Sequence, residues 1–103
     1  MLTLCILYKF KPDKIAGIKE YFENEQRVIK RSGGKIVGYF LPTDFAGPTD
    51  EAIGLIDVPS MAVYEEYRRV LADDPEHKEN IARLLQSGAD VAMNRYFIQR
   101  VPV

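Results

Sequence analysis

Two adjacent glycines, followed by a short apolar run, divide this chain of 103 residues into two halves. Gly33 and Gly34 end a helical pattern, because glycine is the usual left-handed cap at a helix C-terminus. Residues 35–41 are rich in β-branched and aromatic side chains and predict a strand that ends before Pro42. Residues 43–50 are too many for a tight hairpin and predict a loop. One strand–helix unit must therefore precede this segment, and a second must follow it.

The first unit begins with a nearly continuous apolar run over residues 2–8, which predicts a strand. Alternation places the even-numbered side chains on one face of this strand and Cys5 and Leu7 on the other. A sheet with helices on one face would expose its second face to water. The apolar second face of this strand therefore indicates a surface that faces another subunit.

A helix is predicted over residues 12–31, because Pro12 suits its first turn and basic residues suit its end. Ile18 and Phe22 lie on its apolar face, and Glu25 falls within the same arc. Glu25 is either a paired or neutralised acid in a pocket, or it lies at the rim of the buried face or in a simple salt bridge. The second interpretation is the more common outcome for a carboxylate.

The second unit repeats the order of the first. Residues 51–58 predict a strand, and Ser60 suits the N-cap of the helix that follows it. Asp74 and the proline after it suit the N-cap and first position of a further helix. Residues 94–101 predict the last strand. Two strand–helix–strand units predict an α+β fold, a ferredoxin-like βαββαβ sandwich whose four-stranded antiparallel sheet carries helices on one face.

The helices of the second half show apolar stripes at helical spacing. The first stripe comprises Val63, Tyr64, Tyr67, Val70 and Leu71, and the second comprises His77, Ile81, Leu84 and Leu85. Since the length fits one compact unit, we expect a single domain over residues 1–103.

Composition excludes several classes of function. The 14 basic and 15 acidic residues nearly balance and predict no nucleic-acid partner. The single cysteine, Cys5, excludes an internal disulfide and is interpreted as a small buried hydrophobe. The run over residues 2–8 is too short for a membrane span and lacks the marks of a leader, so we expect a cytoplasmic protein with no membrane partner. With one histidine and no phosphate-binding loop, we expect neither a metal nor a cofactor.

Tyrosines supply most of the polar chemistry on the predicted inner faces. In one interpretation they are core and interface groups whose hydroxyls are paired, with partners to be sought among Glu25, Asp57, Arg68, His77, Arg95 and Arg100. In the other, several of them converge on a cavity between sheet and helices that orients a small apolar ligand. The ligand-binding residues of that hypothesis are Tyr8, Glu25, Tyr39, Tyr64, Tyr67 and Arg68.

Three further residues carry open interpretations. His77 is the candidate for acid–base catalysis because its usual pKa lies near neutrality, although a histidine at this helix position is more often a packing residue. Gly38 predicts a bulge or a close approach within its strand. Phe45 is a lid over a pocket, a plug in a dimer interface, or a loop anchor packed on its own core.

The chain resembles the NIPSNAP family over essentially its whole length. The motifs that carry the resemblance are Gly33-Gly34-Lys35-Ile36-Val37-Gly38-Tyr39-Phe40, Gly47-Pro48, Asp57-Val58-Pro59-Ser60, Arg68 and Leu71-Ala72-Asp73-Asp74-Pro75. The resemblance implies a ferredoxin-like subunit that pairs sheet to sheet as a dimeric α+β barrel. It departs at Leu4 and Ile6, where the family often has Glu and Arg, and at Gly54-Leu55-Ile56, where a His-Leu-Trp-like segment is usual.

The wider superfamily includes cofactor-independent monooxygenases and small-molecule binding proteins. We therefore expect a homodimer of unassigned reaction that binds a small apolar ligand in a tyrosine-lined pocket. One alternative is a cofactor-independent monooxygenase or isomerase that uses His77, and another is a non-catalytic protein-interaction module.

Overall fold

Four strands form one antiparallel sheet in the computed structural model, which describes residues 2–103. The strands are β1 (Leu2–Lys9), β2 (Lys35–Phe40), β3 (Glu51–Val58) and β4 (Ala92–Ile98). Their spatial order is β2-β3-β1-β4, so β1 and β3 are central and β2 and β4 are the edges. The helices are α1 (Ile15–Arg31), α2 (Met61–Asp73) and α3 (Pro75–Gln86). This arrangement confirms the predicted ferredoxin-like α+β fold.

Register fixes which side chains share a face. Leu4 pairs with Ile56 on one side and with Phe97 on the other, and Tyr8 pairs with Ala52. Directly paired residues point to the same face of an antiparallel sheet, so these rows form the inner face that meets the helices. Leu4, Tyr8 and Ile56 are almost fully buried there. The predicted alternation of β1 is confirmed.

The opposite, outer face of the sheet is also apolar. Cys5 pairs with Leu55 and Tyr96 across three strands, and the next row joins Leu7 to Ile53. Apolar side chains of this face that remain exposed are Phe40, Ile53, Tyr96 and Ile98. A bulge between Ile36 and Gly38 shifts the register of β2, as Gly38 predicted.

Local signals placed most helix ends correctly. Ser60 accepts a hydrogen bond from the backbone N–H of Val63, and Asp74 caps α3 by accepting from the N–H groups of Glu76 and His77. Gly33 adopts a φ of 101°, the left-handed conformation that ends α1. The predicted first helix differs at its start, where Pro12–Lys14 forms a 3₁₀ turn before α1.

Three predictions about exposure or strand limits were wrong. Leu85 is 75% exposed, because α3 packs on α1 through a face that contains Asn80 instead. Val63 and Val70 are also exposed, so α2 buries only part of its predicted stripe. The last strand runs over Ala92–Ile98, so it begins two residues before and ends three residues before the predicted range of 94–101.

Gly34 is required where α1, α2 and the sheet meet. A Cβ at this position would lie 2.9 Å from Cγ2 of Ile29, 3.1 Å from Cγ2 of Ile56 and 3.3 Å from Cε2 of Tyr67. These neighbours are buried and cannot all move aside. The second glycine of the pair therefore sets how closely the helices approach the sheet.

We expect Gly34→Ala to lower the free energy of unfolding by about 1–3 kcal/mol, the usual cost of overpacking. Urea denaturation measures this loss. Gly33→Asn is the control, because nothing lies within 4 Å of a Cβ there and asparagine tolerates positive φ. Equal stability of Gly34→Ala and the native chain would contradict the packing argument.

Candidate functional site

A buried carboxylate lies at the junction of α1 and α3. Glu25 is 1% exposed. Its Oε2 atom accepts a hydrogen bond from the Tyr21 hydroxyl at 3.0 Å and lies 2.6 Å from Nδ1 of His77. Its Oε1 atom accepts from Nδ2 of Asn80 at 3.3 Å. Glu25 is thus a buried, paired acid, and the interpretation that places it at the rim was wrong.

His77 and Asn80 reach Glu25 from the first turns of α3. Asp74 and Pro75 begin this helix, and the spacing of three residues puts both side chains on one face. Asn80 also donates to the backbone carbonyl of Tyr21 at 3.0 Å. A carboxylate oxygen can only accept a hydrogen bond, so Nδ1 of His77 is the donor in its contact with Glu25. Neutral His77 therefore carries its proton on Nδ1, and Nε2 is the basic nitrogen.

Four aromatic rings pack together beside the Glu25 network, and we call them the aromatic cluster. Its members are Tyr8, Tyr21, Phe22 and Tyr39. Phe22 and Tyr39 stack with ring centroids 4.4 Å apart, and Tyr8 meets Phe22 edge-on at 5.0 Å. The structure therefore brings together three of the predicted ligand-binding residues, Tyr8, Glu25 and Tyr39.

Gly54 makes room for this cluster on the sheet. A Cβ there would lie 2.7 Å from Cε1 of Tyr39 and 3.3 Å from Cε2 of Tyr8. The absent side chain on β3 thus lets two tyrosine rings rest on the strand. Sequence reasoning noted this glycine only as a departure from the family, and the signal was a glycine inside a strand pattern.

The Tyr39 hydroxyl is buried without a hydrogen-bond partner in the part of the chain that the structure describes. Burial raises the pKa of Tyr39 far above its usual range. Burial also raises the pKa of Tyr8, and the nearby Tyr39 hydroxyl partly offsets that rise, although the two hydroxyls do not meet in hydrogen-bonding geometry. Both groups therefore remain neutral phenols in the physiological range.

The other predicted ligand-binding residues lie toward α2. Tyr67 is buried, and burial raises its pKa, with the Glu25 charge adding to the rise and Arg68 opposing it. Tyr64 packs between Tyr67 and Phe97, with ring centroids 6.0 and 4.8 Å away. Arg68 is exposed. Tyr64, Tyr67 and Arg68 therefore form a second group on α2, in which Tyr64 contacts Phe97 of the edge strand β4.

Several residues that were predicted to pair with tyrosine hydroxyls have other partners. Asp57 lies on the outer face, where it accepts from the Thr3 hydroxyl at 2.6 Å and from Arg100 at 3.3 Å. Of the six tyrosines, only Tyr21 donates a hydrogen bond from its hydroxyl to Glu25 within residues 2–103. Phe45 is 93% exposed, so the interpretation of this residue as an anchor on its own core was wrong.

Charged groups at the surface hold the start of α3 against α1. The Arg31 guanidinium donates two hydrogen bonds to the Asp74 carboxylate, both at 2.9 Å, and also contacts Glu76 at 3.0 Å. The Arg31 guanidinium lowers the pKa of Asp74 from 3.8 to about 2. These contacts position the helix that carries His77.

We expect the stability of the protein to fall with decreasing pH between about 4 and 2, because a carboxylate with a lowered pKa loses its contribution as it is protonated through that range. Asp74→Asn should keep the helix cap, lose the charge, and show a weaker dependence on pH across this window. Thermal unfolding followed by circular dichroism measures both. Asp73→Asn is the control, since it removes a neighbouring exposed charge. Parallel pH profiles for Asp74→Asn and the native chain would contradict the assignment.

The structure of residues 2–103 supports neither a metal site nor a membrane-spanning helix. No group of three or more His, Cys, Asp or Glu side chains in that range could hold a metal ion. None of the helices described is long and apolar enough to cross a bilayer.

The fold and the site together define a small ferredoxin-like α+β protein with a buried Glu–His couple beside an aromatic cluster. The NIPSNAP family profile matches residues 4–102, so the chain belongs to the NIPSNAP family. This result confirms the resemblance read from the glycine-rich motifs. No curated protein matches the chain in sequence.

Solved structures show the same fold at low sequence identity. Protein Atu4242 from Agrobacterium tumefaciens is 20% identical, with a TM-score of 0.80 over 98% of this chain and 94% of that one. An uncharacterized NIPSNAP-like domain protein from Burkholderia xenovorans is 21% identical, with a TM-score of 0.78 over 97% and 84%. A putative antibiotic biosynthesis monooxygenase from Nitrosomonas europaea is 10% identical, with a TM-score of 0.71 over 99% and 100%.

Proposed function

We propose that this NIPSNAP family protein is a homodimer whose subunits each bind a small, largely apolar ligand at the aromatic cluster. The observation that carries the proposal is the buried Tyr39 hydroxyl, which has no partner among the described residues. A buried hydroxyl without a partner costs about 1–3 kcal/mol. A ligand that offers one acceptor to Tyr39 and apolar surface to the neighbouring rings would recover that cost.

The chemistry of the cluster defines the ligand further. Phe22 and the tyrosine rings offer apolar faces, which favour a planar or aliphatic body. The Tyr8 and Tyr39 hydroxyls stay neutral because burial raises their pKa values, so each can donate a hydrogen bond to a carbonyl or ether oxygen. Because the rings are closely packed, binding requires the Tyr39 side chain to move from its stacked position on Phe22.

Native mass spectrometry of protein purified from its source tests ligand binding. We expect a retained small molecule on the native chain and its loss in Tyr39→Phe, which keeps the ring and removes the hydroxyl. The ligand-free Tyr39→Phe protein should be more stable than the native chain by about 1 kcal/mol, because the unpaired buried hydroxyl is gone. Thr49→Val, which removes an exposed hydroxyl from the loop between β2 and β3, is the control. The absence of any retained molecule, or its equal retention by Tyr39→Phe, would contradict the proposal.

The outer face of the sheet supports the homodimer. Its side chains in the central rows are Cys5, Leu7, Ile53, Leu55 and Tyr96. Ile53 and Tyr96 are exposed, and the other three are partly buried. A contiguous apolar surface of this kind usually marks an interface. A two-fold axis through the face would pair the same residues from each subunit and form the dimeric α+β barrel.

We expect sedimentation at micromolar concentration to give a dimer and Ile53→Lys to give a monomer, because each subunit would then bury an unpaired charge. Leu85→Lys is the matched control, since Leu85 is exposed on α3, away from the outer face. A monomeric native chain, or a dimer unaffected by Ile53→Lys, would exclude this interface.

The couple of Glu25 and His77 favours a second candidate function, that of a cofactor-independent enzyme of the monooxygenase or isomerase type. The contact of 2.6 Å fixes Nδ1 of His77 against Glu25 and leaves Nε2 free to accept a proton from a substrate. The Nitrosomonas europaea neighbour, a putative antibiotic biosynthesis monooxygenase, has the same fold. Chemical conversion of the retained molecule by the native chain, abolished in His77→Gln, would favour this candidate over binding alone.

A further inference from the structure

Arg95 lies on the inner face of the sheet, in the edge strand β4. It pairs with Ile6 of β1, Ile6 pairs in turn with Gly54 of β3, and Gly54 pairs with Tyr39 of β2. These four residues therefore form one row that crosses the sheet from edge to edge. The row joins the aromatic cluster, where the Tyr39 hydroxyl has no partner among the described residues, to a guanidinium group.

The helices leave the inner face of β4 partly uncovered. Arg95 is exposed, and Phe97, the next residue of β4 on the same face, is 42% exposed. By contrast, Ile6 and Tyr8 of the neighbouring strand are buried. The inner face therefore opens to solvent along β4. Pairing of two subunits through the outer face would leave this opening accessible, because it lies on the opposite side of the sheet.

The Arg95 guanidinium has no carboxylate partner within residues 2–103. Its side chain donates a hydrogen bond in that range only to Sδ of Met93, at 4.0 Å, and a thioether sulfur is a weak acceptor. Glu25, the carboxylate buried at the junction of α1 and α3, is held by its own network instead. Arg95 thus keeps its capacity to bind an anion.

Arg95 also lies within electrostatic reach of the tyrosine hydroxyls. Tyr8 is its diagonal neighbour across β1 and β4, about 7–8 Å away. Burial raises the pKa values of Tyr8 and Tyr67, and the charge of Arg95 opposes both rises. The charge of Arg68 opposes the rise at Tyr67 as well. Two cations therefore act on the same buried hydroxyl from the open side of the inner face.

We propose that Arg95 binds the carboxylate of an elongated apolar acid, a proposal that rests on the proposed function of the aromatic cluster as a ligand site. Tyr39 donates a hydrogen bond to an oxygen atom at one end of this molecule. The Arg95 guanidinium donates two parallel hydrogen bonds to the carboxylate at the other end. The two residues are three strand spacings apart, about 14 Å, which sets the length of the apolar body between them.

Gly54 provides room for that body. A Cβ at Gly54 would lie 2.7 Å from Cε1 of Tyr39, so the tyrosine ring rests directly on the backbone of β3. Movement of this ring from its stacked position on Phe22 uncovers a depression in the row, next to Ile6. A ligand in the depression extends across Ile6 toward Arg95, and its acid group reaches the uncovered face of β4.

Native mass spectrometry of the full chain purified from its source tests the role of Arg95. We expect the retained molecule to be a carboxylic acid, which forms a methyl ester after extraction. Its occupancy should fall about tenfold in Arg95→Gln, because a charge-assisted hydrogen bond is lost. Arg69→Gln is the matched control, since it removes an exposed arginine of α2. Circular dichroism should show the same thermal unfolding for both variants.

The outcomes separate this proposal from the proposed function. A retained molecule that forms no methyl ester would overturn the role of Arg95 and leave the cluster as a ligand site. The same holds for a molecule that Arg95→Gln retains fully and Tyr39→Phe loses. A native chain that retains no molecule would overturn the proposed function and the role of Arg95 together.

Calorimetric titration with decanoic acid and decanamide separates recognition of the charge from burial of the apolar chain. The two probes share one apolar body and are added after removal of any retained molecule. We expect the native chain to bind the acid about tenfold more tightly than the amide, and Arg95→Gln to bind both equally. Arg95→Lys should keep part of the preference, because it retains the charge without the planar fork. Equal binding of both probes by the native chain, or no binding of either, would overturn the proposal.

Discussion

The arrangement of the helices depends on one buried carboxylate. Glu25 of α1 is removed from water, and this would cost several kcal/mol if the charge had no partners. The Tyr21 hydroxyl, His77 and Asn80 supply those partners, and two of the three belong to α3. Removing one partner of such a group usually costs about 3–5 kcal/mol, because the remaining charge is left buried and unpaired. The network therefore constrains how α3 lies against α1.

This network also affects the protonation state of the neighbouring tyrosines. Burial raises the pKa of Tyr8, Tyr21 and Tyr39, and the charge of Glu25 adds to each rise. A phenol in such surroundings cannot ionise near neutral pH, so the cluster offers hydrogen-bond donors and no phenolate. The only side chain there with a usual pKa near neutrality is His77. The aromatic cluster is therefore better suited to a ligand with an oxygen atom that accepts a hydrogen bond than to an electrophilic ligand.

The sequence predicted the sheet more accurately than the helix contacts. Alternation in β1 is a property of a single strand, and caps such as Ser60 and Asp74 act within a few residues, so both could be recognised locally. The position of α3 could not, because it packs on α1 and not along the sheet. A helical pattern alone therefore favoured Leu85 over Asn80 for the inner face.

The same limit explains why the contacts of the candidate site could not be predicted from the sequence. Glu25 lay correctly within the apolar arc of α1, and His77 was identified by its chemistry, but their contact joins residues 52 positions apart. Asn80 gave no signal, because one polar residue on a helix is usually exposed. The Tyr39 hydroxyl has no hydrogen-bond partner among the described residues, and its ring packs on Gly54 of another strand, a contact that a linear pattern does not reveal.

The aromatic cluster and the outer face lie on opposite sides of the sheet, and the register of the strands separates them. Side chains of the outer face point away from the helices, whereas the rings of the cluster lie between the sheet and α1. In β2, Tyr39 pairs with Gly54 on the inner face, and the next residue, Phe40, pairs with Ile53 on the outer face. A contact of Phe40 with a second copy of the chain and a movement of the Tyr39 ring would therefore influence one another through the backbone of β2.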